Sequence, residues 1–179
     1  MTTEYLLNKE IDRVLAALMP QNALVMRVIL HTGLRISDVL ALRPDQLKPS
    51  GWLVEQKTGK RRRYGLPEPL LTELRRQSGR FWVFEGKKDP KQHKTRQAVW
   101  HDVKRAAKAF RLPQNVGTHS FRKAYAVDLL KRYGDIEKVR KNLNHNSASV
   151  TQIYAMADIL LERKLAAKRK TSFDNKTRL

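Results

Sequence analysis

The stretch from His119 to Tyr154 carries polar residues whose types suit work on an anionic substrate. His119 and Arg122 lie three positions apart, and in an α-helix this spacing puts them about 60° apart around the axis. Phe121 falls well away from both, so one helix face can reach a ligand while another packs. With His145 and Tyr154 downstream, the group offers a guanidinium, two imidazoles and a phenol, and no carboxylate.

Two further cations upstream lie in local patterns of their own. Arg35 is part of the run Thr-Gly-Leu-Arg-Ile-Ser-Asp, and Lys57 precedes a Thr-Gly turn signal that ends at Lys60. Two guanidiniums can bind the non-bridging oxygens of a phosphodiester and stabilise the charge of a pentacoordinate transition state. A phenol can attack phosphorus to form a covalent phosphotyrosine. These residue types therefore suit phosphoryl transfer.

Together these motifs resemble the tyrosine recombinase (phage integrase) family. The motifs are TGLRISD, EQKTGKRRRYGLP, HSFR, LNHNS and the downstream Tyr154, in the family's order and with closely similar spacing. The resemblance extends from about residue 5 to about residue 165. Asp38 stands where Glu is more usual, and LNHNS stands for the more usual LGHSS. The chain begins where the family's catalytic domain begins, so we expect no N-terminal core-binding domain in it.

The resemblance implies that Arg35, Arg122 and His145 bind the scissile phosphate. It implies site-specific DNA recombination, either integration or excision, by strand cleavage and rejoining through a 3′-phosphotyrosine. No cofactor and no metal are expected, because Arg, Lys and His supply the positive charge that Mg²⁺ supplies elsewhere. A covalent intermediate keeps the phosphodiester energy, so rejoining needs no ATP.

The resemblance also implies the proton-transfer residues and the nucleophile. Tyr154 attacks phosphorus, and because a free phenol has a pKa of about 10, it needs a base, for which His119 is placed. Lys57 is the candidate acid for the departing 5′ oxygen, with Lys60 as a near alternative. Should Tyr154 not be the nucleophile, Tyr125 and Tyr133 are next in line.

The charge of the chain indicates a polyanionic partner. Lys and Arg number 37 against 17 Asp and Glu, which gives a net charge of +20 and a pI near 10.6. Nucleic acid is the expected partner, although a passive RNA-binding protein would show the same excess. The absence of Cys excludes disulfides and thiolate metal sites. With no signal peptide and no membrane-spanning run, we expect a cytoplasmic, nucleoid-associated protein without membrane contact.

The hydrophobic periodicity predicts an α+β fold that is mostly helical, with a small antiparallel hairpin near residues 45–66. Helices are expected from Asn8 to Pro20, from a cap at Asn22 to Gly33, and from residue 36 to Pro44. Strands are expected at 51–56 and 61–66, with a further short strand possible at 45–47. Later helices should begin at Thr95, Thr118 and Asp135. The Thr95 helix should run through Phe110, which is expected to face inward. Trp100 either packs or faces DNA, and packing is favoured.

Four consecutive cations at residues 60–63 suggest that the hairpin lies against DNA phosphates. A solvated edge strand is the alternative. The tentative DNA-binding residues are Lys60, Arg61, Arg62, Arg63 and Arg96.

A single catalytic domain is expected over residues 1–170, with a disordered tail at 171–179. The expected partners are double-stranded DNA and further copies of the chain, as a tetramer in the synapse. The alternatives are a non-catalytic DNA-binding regulator that keeps the fold, and a type IB topoisomerase.

Overall fold

The computed structural model describes residues 3–143. This part of the chain is mostly helical and contains one two-stranded antiparallel sheet, which confirms the predicted fold class. The elements in order are α1 (Asn8–Ala17), α2 (Pro20–Thr32), α3 (Ile36–Leu40), a 3₁₀ turn (Pro44–Gln46), β1 (Ser50–Val54), β2 (Arg61–Gly65), α4 (Glu68–Gln77), α5 (Arg96–Ala109), α6 (Thr118–Tyr133) and α7 (Ile136–Leu143). The predictions for His145, Tyr154 and the tail at 171–179 lie outside the described residues.

The local sequence sets the helix ends, and two of the predictions made for them, at Pro20 and Asn22, are wrong. Gly33 ends α2 in the left-handed region with φ 61°, as glycine does readily, and the Thr95 hydroxyl caps α5 by accepting the Ala98 N–H at 3.2 Å. Pro20 opens α2 instead of ending α1, because proline fits the first helical turn, where no N–H is needed. Asn22 does not cap α2; its amide donates to buried Asp102 at 2.7 Å.

The hairpin forms as predicted, with Val54 paired to Arg61 and Ser50 to Gly65 at its two ends. Alternate residues of β2 are buried, as expected for a strand with one face on the core. The possible strand at 45–47 is absent, since residues 44–46 form a 3₁₀ turn in which the Gln46 N–H donates to the Arg43 carbonyl at 3.0 Å. Pro44 at the start of this segment favours a turn over a strand.

Helix α2 lies at the centre of the main core and packs against α1, α3, α4 and α6. Its buried side chains, such as Met26 and Val28, occupy most of its circumference, which is typical of a central helix. Helix α6 contributes Phe121 and Val127 to the same cluster. Helix α6, which carries His119 and Arg122, therefore packs directly on the helix that leads into the turn at Arg35.

Two aromatic side chains, one on α5 and one at its C-cap, are not buried as expected: Phe110 was predicted to face inward, and for Trp100 packing was favoured over facing DNA. Trp100 is 44% exposed and Phe110 is 40% exposed. The Trp100 ring contacts the edge of His101 and lies near the Lys104 ammonium group, so neighbours on its own helix cover it in place of the core. Within residues 3–143, no helix is both long enough and apolar enough to cross a lipid bilayer.

Candidate active site

The turn between α2 and α3 positions the first candidate residue, Arg35. Gly33 reverses the chain, Leu34 is anchored in the core with no exposed surface, and Arg35 is the N-cap residue of α3. The Arg35 side chain is only partly exposed. Because this short turn is held between two packed helices, the backbone that carries the Arg35 side chain is fixed in place.

Arg122 reaches the same turn from α6. It is 5% exposed, and its Nη1 donates to the Gly33 carbonyl at 2.6 Å while its Nη2 donates to the Leu143 carbonyl at 2.8 Å. Burial lowers the pKa of this guanidinium below its ordinary value, and the charges of Arg62 and Arg35 lower it further. The neighbouring positive charges identify a site that favours an anion.

A buried carboxylate, Glu55, connects these cations. It has no exposed surface and accepts hydrogen bonds from Arg35 Nη1 at 2.6 Å, Arg62 Nη1 at 3.1 Å and the Thr58 hydroxyl at 2.7 Å. Burial alone would raise the pKa of Glu55, but the hydrogen bonds from Thr58, Arg62 and Arg35 outweigh it and lower the pKa to about 2. Glu55 is therefore ionised at neutral pH.

The prediction that Arg62 contacts DNA is corrected by the structure. Arg62 is 5% exposed; besides Glu55, it binds the Thr32 carbonyl through Nη2 at 2.7 Å. A signal for this role was present in the sequence, because Arg62, Tyr64 and Leu66 alternate and must share one face of the strand. Glu55 was also missed, although it follows Leu53 with the same alternation.

The other candidate DNA-binding residues have exposed side chains. Arg61 and Arg63 lie on the outer face of β2, Lys60 lies in the hairpin loop, and Arg96 begins α5. Arg61 also lies over the exposed Trp52 ring, with 5.2 Å between the guanidinium carbon and the ring centroid. Their contact with DNA stays a prediction.

His119 lies in the first turn of α6 and is exposed. Partial desolvation lowers the pKa of its imidazole, as do the charges of Arg122, Lys123, Arg35 and Lys57, in decreasing order. Four of the six predicted catalytic residues therefore lie close enough together for their charges to interact. The imidazole is mainly neutral at pH 7 and can accept a proton.

Lys57 lies in the hairpin loop, which Glu55 closes from both sides. The Glu55 N–H donates to the Lys60 carbonyl at 3.0 Å, and the Glu55 carbonyl accepts the Gly59 N–H at 2.8 Å. Gly59 has φ 65°, a backbone conformation that glycine adopts readily. Both Lys57 and Lys60 are exposed, so the loop can present either ammonium group to a ligand.

The two alternative nucleophiles differ in their surroundings. Tyr125 packs over Gly33; its pKa is raised, chiefly by burial, although the charge of Arg62 lowers it in part. Tyr133 is 54% exposed near the end of α6 and lies beside the Lys138 ammonium group. Burial makes the Tyr125 phenol harder to ionise and thus a poor nucleophile, so Tyr133 makes the better control for Tyr154.

A family model described as the phage integrase family matches residues 4–159. The chain belongs to the phage integrase family. Tyrosine recombinase XerA of Pyrococcus furiosus is 30% identical to it over 143 residues, which are 75% of this chain and 49% of that protein. Tyrosine recombinase XerD of Shewanella oneidensis is 31% identical over 143 residues, or 73% of this chain and 47% of that protein. The chain thus spans about half the length of these recombinases.

Solved structures share the fold at lower sequence identity. The catalytic domain of bacteriophage HP1 integrase superposes with a TM-score of 0.67 at 21% identity, covering 92% of this chain and 95% of that one. A lambda integrase tetramer bound to a Holliday junction gives a TM-score of 0.70 at 17% identity, covering 86% and 48% of the two chains. The fold of this family member is therefore that of a tyrosine recombinase catalytic domain.

Proposed function

We propose that this protein is a site-specific tyrosine recombinase that cleaves and rejoins DNA strands through a covalent 3′-phosphotyrosine. The proposal rests on the convergence of two arginines: Arg122 reaches the turn that carries Arg35. The charges of Arg35, Arg122 and Lys57 all act on His119. Family membership and the similarity to XerA and XerD support the same activity.

In the cleavage step, the Tyr154 oxygen attacks the scissile phosphorus and its proton passes to His119. The bond from phosphorus to the 5′ oxygen breaks, and Lys57 donates a proton to that oxygen. Arg35, Arg122 and His145 bind the non-bridging oxygens, whose charge grows in the transition state. Rejoining reverses these steps with the 5′ hydroxyl of a second strand, so the phosphodiester count is conserved.

The proposed substrate is double-stranded DNA, and the proposed working assembly is a tetramer of this chain on two duplexes. The lambda integrase tetramer on a Holliday junction and the XerH recombinase bound to its difH substrate support this expectation by analogy of fold. The exposed cations Lys60, Arg61 and Arg63 of the hairpin would bind backbone phosphates. The protein would act in the cytoplasm, on nucleoid DNA.

The decisive experiment is capture of a covalent protein–DNA adduct. The protein is incubated in EDTA with a pool of nicked duplexes, in which cleavage next to the nick releases a short strand and traps the intermediate. Adducts that survive denaturant are then sequenced for the attached DNA. We expect wild-type protein and Tyr133→Phe to form the adduct and Tyr154→Phe to form none.

Tyr154→Phe removes a single hydroxyl, so DNA affinity should hold because the arginines remain. An adduct on Tyr154→Phe would assign the nucleophile to another residue, and a requirement for Mg²⁺ would contradict the mechanism. DNA binding without any adduct would favour the non-catalytic regulator. Relaxation of supercoiled DNA without recombinant product would favour the topoisomerase.

A further inference from the structure

Glu55 is a buried carboxylate surrounded by cations, to which neither the sequence motifs nor the proposed mechanism gives a role. Within the described residues, it binds Arg35 and Arg62 directly, and Arg122 lies close enough for the Glu55 charge to affect it. A buried ionised group is costly unless its partners compensate for the lost water. Here three side-chain donors surround the carboxylate, so both oxygens of Glu55 are hydrogen-bonded.

The contact between Glu55 and Arg35 uses only one end of the guanidinium. Glu55 Oε2 accepts from Arg35 Nη1 at 2.6 Å, and no hydrogen bond engages Nε or Nη2 of Arg35 in the described part of the chain. Arginine has five N–H donors in a planar fork. The contact with Glu55 therefore anchors one end of the guanidinium and leaves the Nε–Nη2 edge able to bind two oxygens of a phosphate.

The same residue also holds the loop that carries Lys57. The backbone of Glu55 closes this loop through Lys60 and Gly59, and the Thr58 hydroxyl donates to the oxygen that binds Arg35. The adjacent Gln56 N–H donates to Asp38 Oδ1 at 2.9 Å, which attaches the end of β1 to α3. Glu55 and Asp38 thus both connect the hairpin to the segment that carries Arg35, and of the two only Glu55 binds Arg35 itself.

Arg62 completes the connection on the other side. It donates to Glu55 and to the Thr32 carbonyl, next to the carbonyl of Gly33 that accepts from Arg122. The consecutive carbonyls of residues 32 and 33 therefore each bind a buried guanidinium. The negative charge of Glu55 offsets the mutual repulsion of these cations, which would otherwise push Arg35 and Arg122 apart.

We infer that Glu55 is a positioning residue for strand cleavage, which orients Arg35 toward the scissile phosphate and aligns the Lys57 loop with it. Glu55 does not touch the substrate; it acts through Arg35 and the loop. The inference rests on the proposed function, since it needs a scissile phosphate at this site. It adds a carboxylate to a site whose predicted catalytic residues are two arginines, a lysine, two histidines and a tyrosine.

The test uses a DNA sequence recovered in the adduct-capture experiment. On this DNA, the single-turnover rate of adduct formation and the DNA affinity are measured for wild type and for Glu55→Gln. Glutamine keeps the size and one acceptor oxygen but removes the charge. Loss of a charge-assisted contact predicts cleavage about 10- to 100-fold slower, with DNA affinity changed by less than about threefold. Glu73→Gln is the matched control, because Glu73 forms a partly exposed ion pair with Arg27 between α4 and α2, and Arg27 is not a site residue. The cleavage rate of this variant should equal that of wild type.

A neutral methylphosphonate at the scissile position separates positioning from general damage. Replacing the oxygen that Arg35 binds by a methyl group removes the ligand of Arg35, so the defect of Glu55→Gln should shrink to less than about threefold on one diastereomer. An equal defect on the phosphate and on both diastereomers would overturn the inference. So would a cleavage rate on ordinary DNA equal to that of wild type.

Glu55→Gln risks misfolding, because Arg62 would keep a buried charge without its partner. Thr58→Val then carries the test, since it removes one hydrogen bond from the same carboxylate oxygen at a partly exposed turn. A defect of about 2- to 10-fold that disappears on the methylphosphonate supports the inference, and no defect overturns it. If wild-type protein itself forms no adduct, the proposed function fails, and the inference fails with it.

Discussion

Gly33 offers a quantitative test of how the turn under Arg35 is built. The residue has φ +61°, and a Cβ placed on it would lie 2.2 Å from Cδ1 and 2.4 Å from Cε1 of the Tyr125 ring. Gly134 is a matched comparison, because it ends α6 with φ +63° but a Cβ there would meet nothing within 4 Å. The two glycines share the same conformational demand and differ in the space around them.

Substitution by Ala should therefore cost different amounts at the two positions. The left-handed conformation disfavours Ala by about 1–2 kcal/mol at either site. At Gly33 the Tyr125 ring must also shift, and overpacking of this kind costs roughly 1–3 kcal/mol. We expect the free energy of unfolding to fall by about 1–2 kcal/mol for Gly134→Ala and about 2–5 kcal/mol for Gly33→Ala.

Urea unfolding followed by far-ultraviolet circular dichroism measures both values, provided that the slope m is unchanged. Tyr125→Ala should relieve the clash, so Gly33→Ala in that background should cost about 1–3 kcal/mol less than in wild type. Equal losses at Gly33 and Gly134 would refute the close packing of Tyr125 on the turn. A cost at Gly33 that persists without Tyr125 would refute it as well.

Two further predictions concern the proton-transfer residues. Because the pKa of His119 is lowered by burial and by Arg122, Lys123, Arg35 and Lys57, its imidazole should titrate below 6.5 in an NMR experiment on the free protein. The neutral form of His119 stabilises the fold above pH 6.5, and this contribution is lost as the pH falls through the lowered pKa. Lys123→Gln should raise the titration midpoint of His119, and an unchanged midpoint would show that the Lys123 charge does not lower this pKa. Lys57→Ala should slow cleavage more than binding, and a substrate with a 5′-sulfur leaving group should rescue it, since sulfur leaves without a proton. Rescue of Lys60→Ala instead would assign the acid to Lys60.

The sequence alone determined the local structure and the types of the candidate residues. Periodic apolar positions predicted α1, α2 and α5, the Thr-Gly signal predicted the hairpin, and Gly33 predicted the end of α2. These features depend on neighbours within a few positions, where backbone sterics and capping decide the outcome. The motifs likewise identified Arg35, His119 and Arg122, and the fold brings these three residues together.

Only the tertiary structure decided which charged residues face inward. Arg61, Arg62 and Arg63 are chemically identical, so their types do not show which one is buried. Alternation places Arg62 on one face with Tyr64 and Leu66, but only the packing of the hairpin shows that this face meets the core. Glu55 becomes a partner of Arg35 only when a strand packs beside a turn twenty positions earlier in the chain. The charge balance of the site therefore arises from long-range packing, because burial and the distance between groups remote in sequence set the energy of each ion pair.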